Sequence, residues 1–335
     1  MHSRNITPGR LYLCSLATVM AAAFLAGCSG SSGGSGSSGN GGSSNLYPVS
    51  LTIGTTSTET TPATGEITNP SHLITLANGD IVATDLTSDS TMVYDPNGNF
   101  IENLTVAGAG NGQANEPEGL CTDSQGNIYI VDSDNGRIVE FNSSFQFVRN
   151  IGEKSQMDDP EDVAVDSSGN IFLVDDEADD IVEYNAAGNL VQRFGQTAGQ
   201  FELLAPIDIS ISPAGQIYVV DMGHNRIVVF NDSGVGVTTF GGPGSTPGLF
   251  NHPSGSCFDS AGNYYVRDVG NGSVQEFNSK NVWLFTYQIE NPSTVTAAED
   301  TELEGRGVFV ATTGAFKGDI CAAVKSKMVV VAPHV

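Results

Sequence analysis

Acidic residues crowd around a set of regularly spaced prolines, and they are the groups in this chain best placed to do chemistry. Glu116 and Glu118 bracket Pro117, Asp159 and Glu161 bracket Pro160, and Asp162 and Asp208 lie one step further along their segments. Like charges at that density repel, and a bound cation or a basic partner would relieve them. His252 stands beside Pro253, and His72 and His224 occupy related segments, so three imidazoles converging on one axis would suit zinc. The loop setting of His224 argues against that convergence. Asp132-Ser-Asp-Asn-Gly136 echoes a calcium loop, but Gly136 stands where a third ligand is expected. Arg267 replaces the valine found in sister segments (Val131, Val220), in a strand that must pack on both faces, and a charge there needs a partner. The candidate ligand-binding set is therefore Glu116, Glu118, Asp159, Glu161, Asp162, Asp208, His252 and Arg267, with calcium and zinc as the candidate ions. No GxSxG, Walker or HExxH motif occurs, and no catalytic residue is assigned.

The elements that must position these groups repeat. Asn127-Ile-Tyr-Ile-Val-Asp132, Asn170-Ile-Phe-Leu-Val-Asp175, Gln216-Ile-Tyr-Val-Val-Asp221 and Asn263-Tyr-Tyr-Val-Arg-Asp268 are copies of one strand. Each follows a Gly-containing turn and precedes a polar loop and a second strand, such as Arg137-Ile-Val-Glu-Phe141 or Arg226-Ile-Val-Val-Phe230. A weaker copy stands upstream at Asp80–Asp85 and a degraded one downstream at Gly307–Ala311 and Asp319–Ala323. Pro70, Pro117, Pro160, Pro206, Pro253 and Pro292 open the copies, at intervals of 47, 43, 46, 47 and 39 residues. Four short β runs in a repeat of that length form a propeller blade.

The unit Pro…Asp-x-x-Gly-Asn-Ile-Tyr-Val-Asp…Asn-x-Arg-Ile-Val-x-Phe resembles the NHL repeat, most closely in the second to fifth copies, and His224-Asn225 sits where that family often has an Asn-His pair. The resemblance implies an all-β, six-bladed propeller over residues 46–335. Val49-Ser-Leu-Thr-Ile-Gly54 resembles the outer strands Phe147–Gly152 and Gly236–Gly241, so an N-terminal strand is expected to close the last blade. Met328–Ala332 is the other candidate for that outermost place. In such a blade the entry prolines and the polar loops share one face, while the tight Gly turns lie on the other, so ligand contacts should favour the proline face. The strand-ending Asp132, Asp175 and Asp221 are expected to cap turns and pair with arginines such as Arg137 and Arg226. Glu116, Glu118, Glu161 and Asp162 have no such template role. Arg267 either pairs with a carboxylate or reaches into the channel as an anion contact.

Bulk properties agree with an all-β chain: 40 Gly and 14 Pro in 335 residues, with charged residues at only 15%. A net charge of −25 excludes a nucleic-acid role, because a phosphate backbone would be repelled. Of five cysteines, Cys121, Cys257 and Cys321 sit in apolar β patterns and behave as small hydrophobes, with no CxxC spacing.

The first residues read as an address. Arg4 and Arg10 precede an apolar run, Leu11–Leu25, that is short for a membrane span and suited to a signal peptide. It ends in Leu25-Ala26-Gly27-Cys28, which resembles the bacterial lipobox. That resemblance implies a signal peptide over 1–27 and lipidation of Cys28, with two or three acyl chains giving lasting attachment. Residues 28–45 are then a Ser/Gly/Asn linker with a root-mean-square reach of about 20 Å. The expected location is the cell envelope, on the outer membrane or an extracytoplasmic membrane face, touching membrane through the anchor alone.

Three functions compete, one of them a purely structural envelope protein. The first is a monomeric binding module presenting its acidic loop face to a protein, peptide or glycan. The second is a metal-dependent propeller enzyme of lyase or lactonase type, with a metal held by some of Glu116, Glu161, Asp208 and His252. Fold analogy does not choose between them.

Overall fold

The computed structural model describes residues 49–53, 65–259, 261–288, 308–310, 320–323 and 328–331, the first and the last three of these as strand backbone. The expected signal peptide, Cys28, the linker and the Pro292 opening lie outside the described residues.

Strand β1 (Val49–Ile53) comes first, and five four-stranded antiparallel blades follow. Blade 1 holds β2 (Pro70–Thr75), β3 (Ile81–Asp85), β4 (Ser90–Tyr94) and β5 (Phe100–Thr105). Blade 2 holds β6 (Pro117–Thr122), β7 (Ile128–Asp132), β8 (Arg137–Phe141) and β9 (Phe147–Ile151). Blade 3 holds β10 (Pro160–Val165), β11 (Ile171–Asp175), β12 (Asp180–Tyr184) and β13 (Leu190–Phe194). Blade 4 holds β14 (Pro206–Ile211), β15 (Ile217–Asp221), β16 (Arg226–Phe230) and β17 (Gly236–Gly241). Blade 5 holds β18 (Pro253–Phe258), β19 (Tyr264–Asp268), β20 (Ser273–Phe277) and β21 (Trp283–Gln288).

This corrects the expected count of six blades to five. The prolines from Pro70 to Pro253 each open a complete blade of the repeat. The remaining strands, β22 (Val308–Val310), β23 (Ile320–Ala323) and β24 (Met328–Val331), join β1 in a terminal sheet ordered β1-β24-β23-β22. Its strands are three to five residues long and come from both ends of the chain, so regular repeat spacing does not describe it. Val49 pairs with Val331 and Ile53 with Met328, which places β1 outside β24. Strand β22 lies against β2 and β18.

The core sits between neighbouring blades. Val131, Ile138, Val163, Leu173 and Val182 form one such layer between blades 2 and 3, and Ile207, Val220, Ile227, Tyr264 and Val266 form another between blades 4 and 5. The second and third strands of a blade bury almost every side chain because they are covered on both faces. The tight turns follow from Asp-x-x-Gly. Asp123 accepts hydrogen bonds from the Asn127 backbone and side chain at 2.9 and 2.7 Å, and Gly126 supplies the positive φ of 81° that the turn requires.

Candidate functional site

Five aspartates ending the second strands, Asp85, Asp132, Asp175, Asp221 and Asp268, are fully buried. Each accepts a backbone amide from the segment leading to its own blade's entry proline: Asn69, Asn115, Asp159, Leu204 and Asn251, at 2.8–2.9 Å. Asp132 also takes Arg137 Nε at 2.6 Å and Asn135 Nδ2 at 2.7 Å, and Asp221 takes Arg226 Nε at 2.6 Å and His224 Nδ1 at 2.9 Å. In blade 3 the arginine position is itself acidic, Asp180, and Arg193 from the outer strand bonds both Asp175 and Asp180 at 2.6 Å. These carboxylates staple loops, as the repeat pattern implies, and their oxygens are committed.

The segment before the entry proline takes a second fastening. Glu116, Ala205 and His252 have φ of 47°, 47° and 51°. Their amides donate to Asp89, Asp179 and Asn225 of the preceding blade at 2.9, 2.7 and 2.7 Å. Blade 2 has Gly136 at the clasping position, and so the junction of blades 2 and 3 has no such side chain. There the acids gather. Asp159, Glu161 and Asp176 place carboxylate oxygens within 4.8 Å of one another. Asp176 is pushed up to about 6 by burial and then by the charges of Asp159, Asp179, Asp175 and Glu177. Exposed Glu116 is raised by partial burial and by Asp134, Glu118, Asp89 and Asp159. His252 is half-buried, with Nδ1 3.0 Å from Asn251 Oδ1.

A different group assembles around the channel. Each innermost strand carries a register shift just after its proline, between Pro70 and Leu73, Pro117 and Leu120, Pro160 and Val163, Pro206 and Asp208, and Pro253 and Gly255. Such a bulge re-aims the residue it contains. The second residue after the proline is His72, Gly119, Asp162, Asp208 and Gly255 around the ring. His72, Asp162 and Asp208, from blades 1, 3 and 4, bring ligand atoms within 4.8 Å of one another, all buried. Gly119 makes room: a Cβ there would stand 2.0 Å from Asp162 Oδ1. Asp162 Oδ2 accepts the Ile209 amide at 3.0 Å, and Asp208 Oδ1 accepts the Ser256 hydroxyl. Burial pushes Asp162 well up, Asp208 beside it adds to that, and burial pushes Asp208 up to about 7. The cavity here, about 300 Å³, is lined by His72, Asp162, Ser210 and Ser256, with Cys121 and Cys257.

The structure thus divides the sequence-predicted residues. Asp159 and Glu161 share the loop-face cluster with Asp176, which sequence reasoning did not single out, and Glu116 feels Asp159 of that cluster after Asp134, Glu118 and Asp89. Asp162 and Asp208 belong to the channel, with His72 in place of the three-histidine set. Buried Glu118 accepts the Ser71 hydroxyl at 2.5 Å. Arg267, 1% exposed, stands opposite Gly255 and pulls the buried Asp268 carboxyl down against the larger upward push of burial. The aligned copies carry the missed signal, since the position two after the proline reads His, Gly, Asp, Asp, Gly.

The family model described as NHL repeat matches residues 115–141 and 203–230, which run from the approach to the entry proline to the end of the third strand in blades 2 and 4. No curated protein sequence matches the chain. Among solved structures it is similar to virginiamycin B lyase from Staphylococcus aureus, at 12% identity and a TM-score of 0.60 over 85% of this chain and 99% of that one. It is also similar to a gluconolactonase from Xanthomonas campestris, at 15% identity and a TM-score of 0.60 over 81% and 88%. A streptogramin B lyase gives 16% identity and a TM-score of 0.55 over 77% of each chain. Identities this low speak for fold alone. Two matched repeats, set in four-stranded blades that five entry prolines open in register, make this chain an NHL-repeat β-propeller.

Proposed function

We propose that the protein is an envelope-tethered binding module, lipid-anchored through Cys28, that presents the acidic loop face of its propeller to a protein, peptide or glycan carrying positive charge. The observation that carries this reading is the Asp159–Glu161–Asp176 cluster at the junction of blades 2 and 3. Carboxylates held this close destabilise one another until a cation or basic group neutralises them. The junction also lacks the amide clasp that ties down the entry loops of blades 2, 4 and 5, and Asp159 there accepts a longer bond from the Ser133 hydroxyl of blade 2, at 3.4 Å. A basic peptide segment fits the charge and the place. The test is binding of a short lysine-rich peptide, followed by fluorescence anisotropy at low and high salt. Salt-sensitive binding that weakens in Glu116→Gln and Asp176→Asn supports the reading; equal binding by these variants and the parent overturns it. Attachment is tested separately, by metabolic labelling with a radiolabelled fatty acid in cells carrying the parent or Cys28→Ala. Label on the parent alone supports the anchor.

A second reading, a metal-dependent enzyme of lyase or lactonase type, is favoured by one observation: the channel holds a histidine and two carboxyls beside a cavity of about 300 Å³. Its test is turnover of a simple sugar lactone or a cyclic depsipeptide lactone by protein supplied with divalent metal.

A further inference from the structure

The channel group differs from the loop-face cluster in what surrounds it. His72, Asp162 and Asp208 are 8%, 3% and 2% exposed. Each aspartate spends one oxygen on a protein donor, the Ile209 amide or the Ser256 hydroxyl. The other oxygen of each, Asp162 Oδ1 and Asp208 Oδ2, is buried with no donor from any other described residue, and there the two carboxyls bond only to one another. Two buried carboxyls in contact must share a proton or bind a cation, because both cannot be charged there without a partner. Two such oxygens from different blades, with an imidazole from a third blade within 4.8 Å, are a ligand set and not a packing accident of one strand. Gly119 points the same way, because any side chain there would displace the Asp162 carboxylate.

We propose that His72, Asp162 and Asp208 bind one divalent transition-metal ion in the propeller channel, with zinc the best-matched ion. One imidazole and two carboxylates are a mixed nitrogen and oxygen set of borderline hardness. That set suits zinc or manganese better than calcium, which takes six to eight oxygens. Three protein ligands leave a fourth position for water or a ligand oxygen, on the side where His72 and Asp162 line the cavity. The Ile209 amide and the Ser256 hydroxyl act as the supporting shell, each orienting one carboxylate through its non-ligating oxygen. This site is separate from the loop-face binding reading and stands or falls independently of it.

The test uses the full chain, purified without an affinity tag, stripped with a chelator and equilibrated with zinc. Elemental analysis is expected to find about one zinc per chain. Asp208→Asn and His72→Gln should weaken binding by about a hundredfold or more, while Asp176→Asn and Glu161→Gln on the loop face leave it unchanged. Cobalt in place of zinc should give the visible absorption of a low-coordinate site in the parent and lose it in His72→Gln. That spectrum decides the matter if Asp208→Asn proves unfolded by circular dichroism. Folded parent protein that takes up no zinc overturns the proposal. So does zinc held equally by the parent and the channel variants, or zinc lost only in the loop-face variants.

Discussion

Two rings of buried aspartates run through this propeller, and they differ in everything except burial. Those ending the second strands are surrounded by donors: Asp132 alone receives the Asn115 amide, Asn135 and Arg137. Burial raises Asp132, and the contacts that follow, from Asn115, Arg137 and Asn135, all act to lower it. At Asp162 the next influence after burial is the charge of Asp208, which pushes the same way. One ring is a structural fastening repeated with the blades. The other is an exception to the repeat, among the described residues a pair from blades 3 and 4 whose carboxyls meet each other. The repeat unit explains the first ring and gives no reason for the second.

The largest effect should come from breaking the fastened ring. Asp132→Ala strands Arg137 and two further donors, and should cost about 3–5 kcal/mol. A thermal melt should show a drop of about 10 °C. Next is Gly119→Ala, which drives a methyl into Asp162 and should cost about 1–3 kcal/mol by overpacking. Gly126→Ala would also be destabilising, but through backbone strain at positive φ, and would leave the channel alone.

The smallest effect concerns the loop face and depends on pH. The folded-state value for Asp176, about 6, lies above its ordinary 3.8. The folded protein therefore binds the proton more tightly than the unfolded chain, and stability falls as pH rises through that window. Asp176→Asn should be more stable than the parent at pH values above about 7, by about 1 kcal/mol after allowing for solvent screening, with no advantage near pH 4. Melting curves at both ends of the range check the sign.

Much of the fold was legible because each blade repeats its own instructions. The entry prolines open strands β2, β6, β10, β14 and β18, and the Asn-Ile-Tyr-Val-Asp runs are the second strands. The Asp132–Arg137 and Asp221–Arg226 pairs were also readable from their spacing. Blade 3 hid its version, because Asp180 occupies the arginine's place and the cation comes from Arg193, thirteen residues later on another strand. The blade count was over-read, since the downstream copy is degraded and its strands join the N-terminal one in a sheet of their own. The channel site was half legible. Asp162 and Asp208 stand out by charge, and their place beside the entry prolines points to the loop face, with Asp208 alone also in the metal set of the enzyme reading. A β-bulge after each proline shifts the register around these positions, and a bulge leaves no mark in hydrophobic alternation.

The contrast between the two rings is tested most directly by one isosteric change in each, with metal removed. Asp208→Asn and Asp221→Asn are melted side by side in chelator. The expectation is opposite signs. Asn at 208 removes a carboxylate that burial pushes up to about 7, and at pH 8 should raise stability by about 1–2 kcal/mol. Asn at 221 takes a charge away from Arg226 and should lower it by about 2 kcal/mol or more. A loss of stability at both positions would contradict it, because it would mean that the channel carboxylate is as well satisfied as the strand-end one.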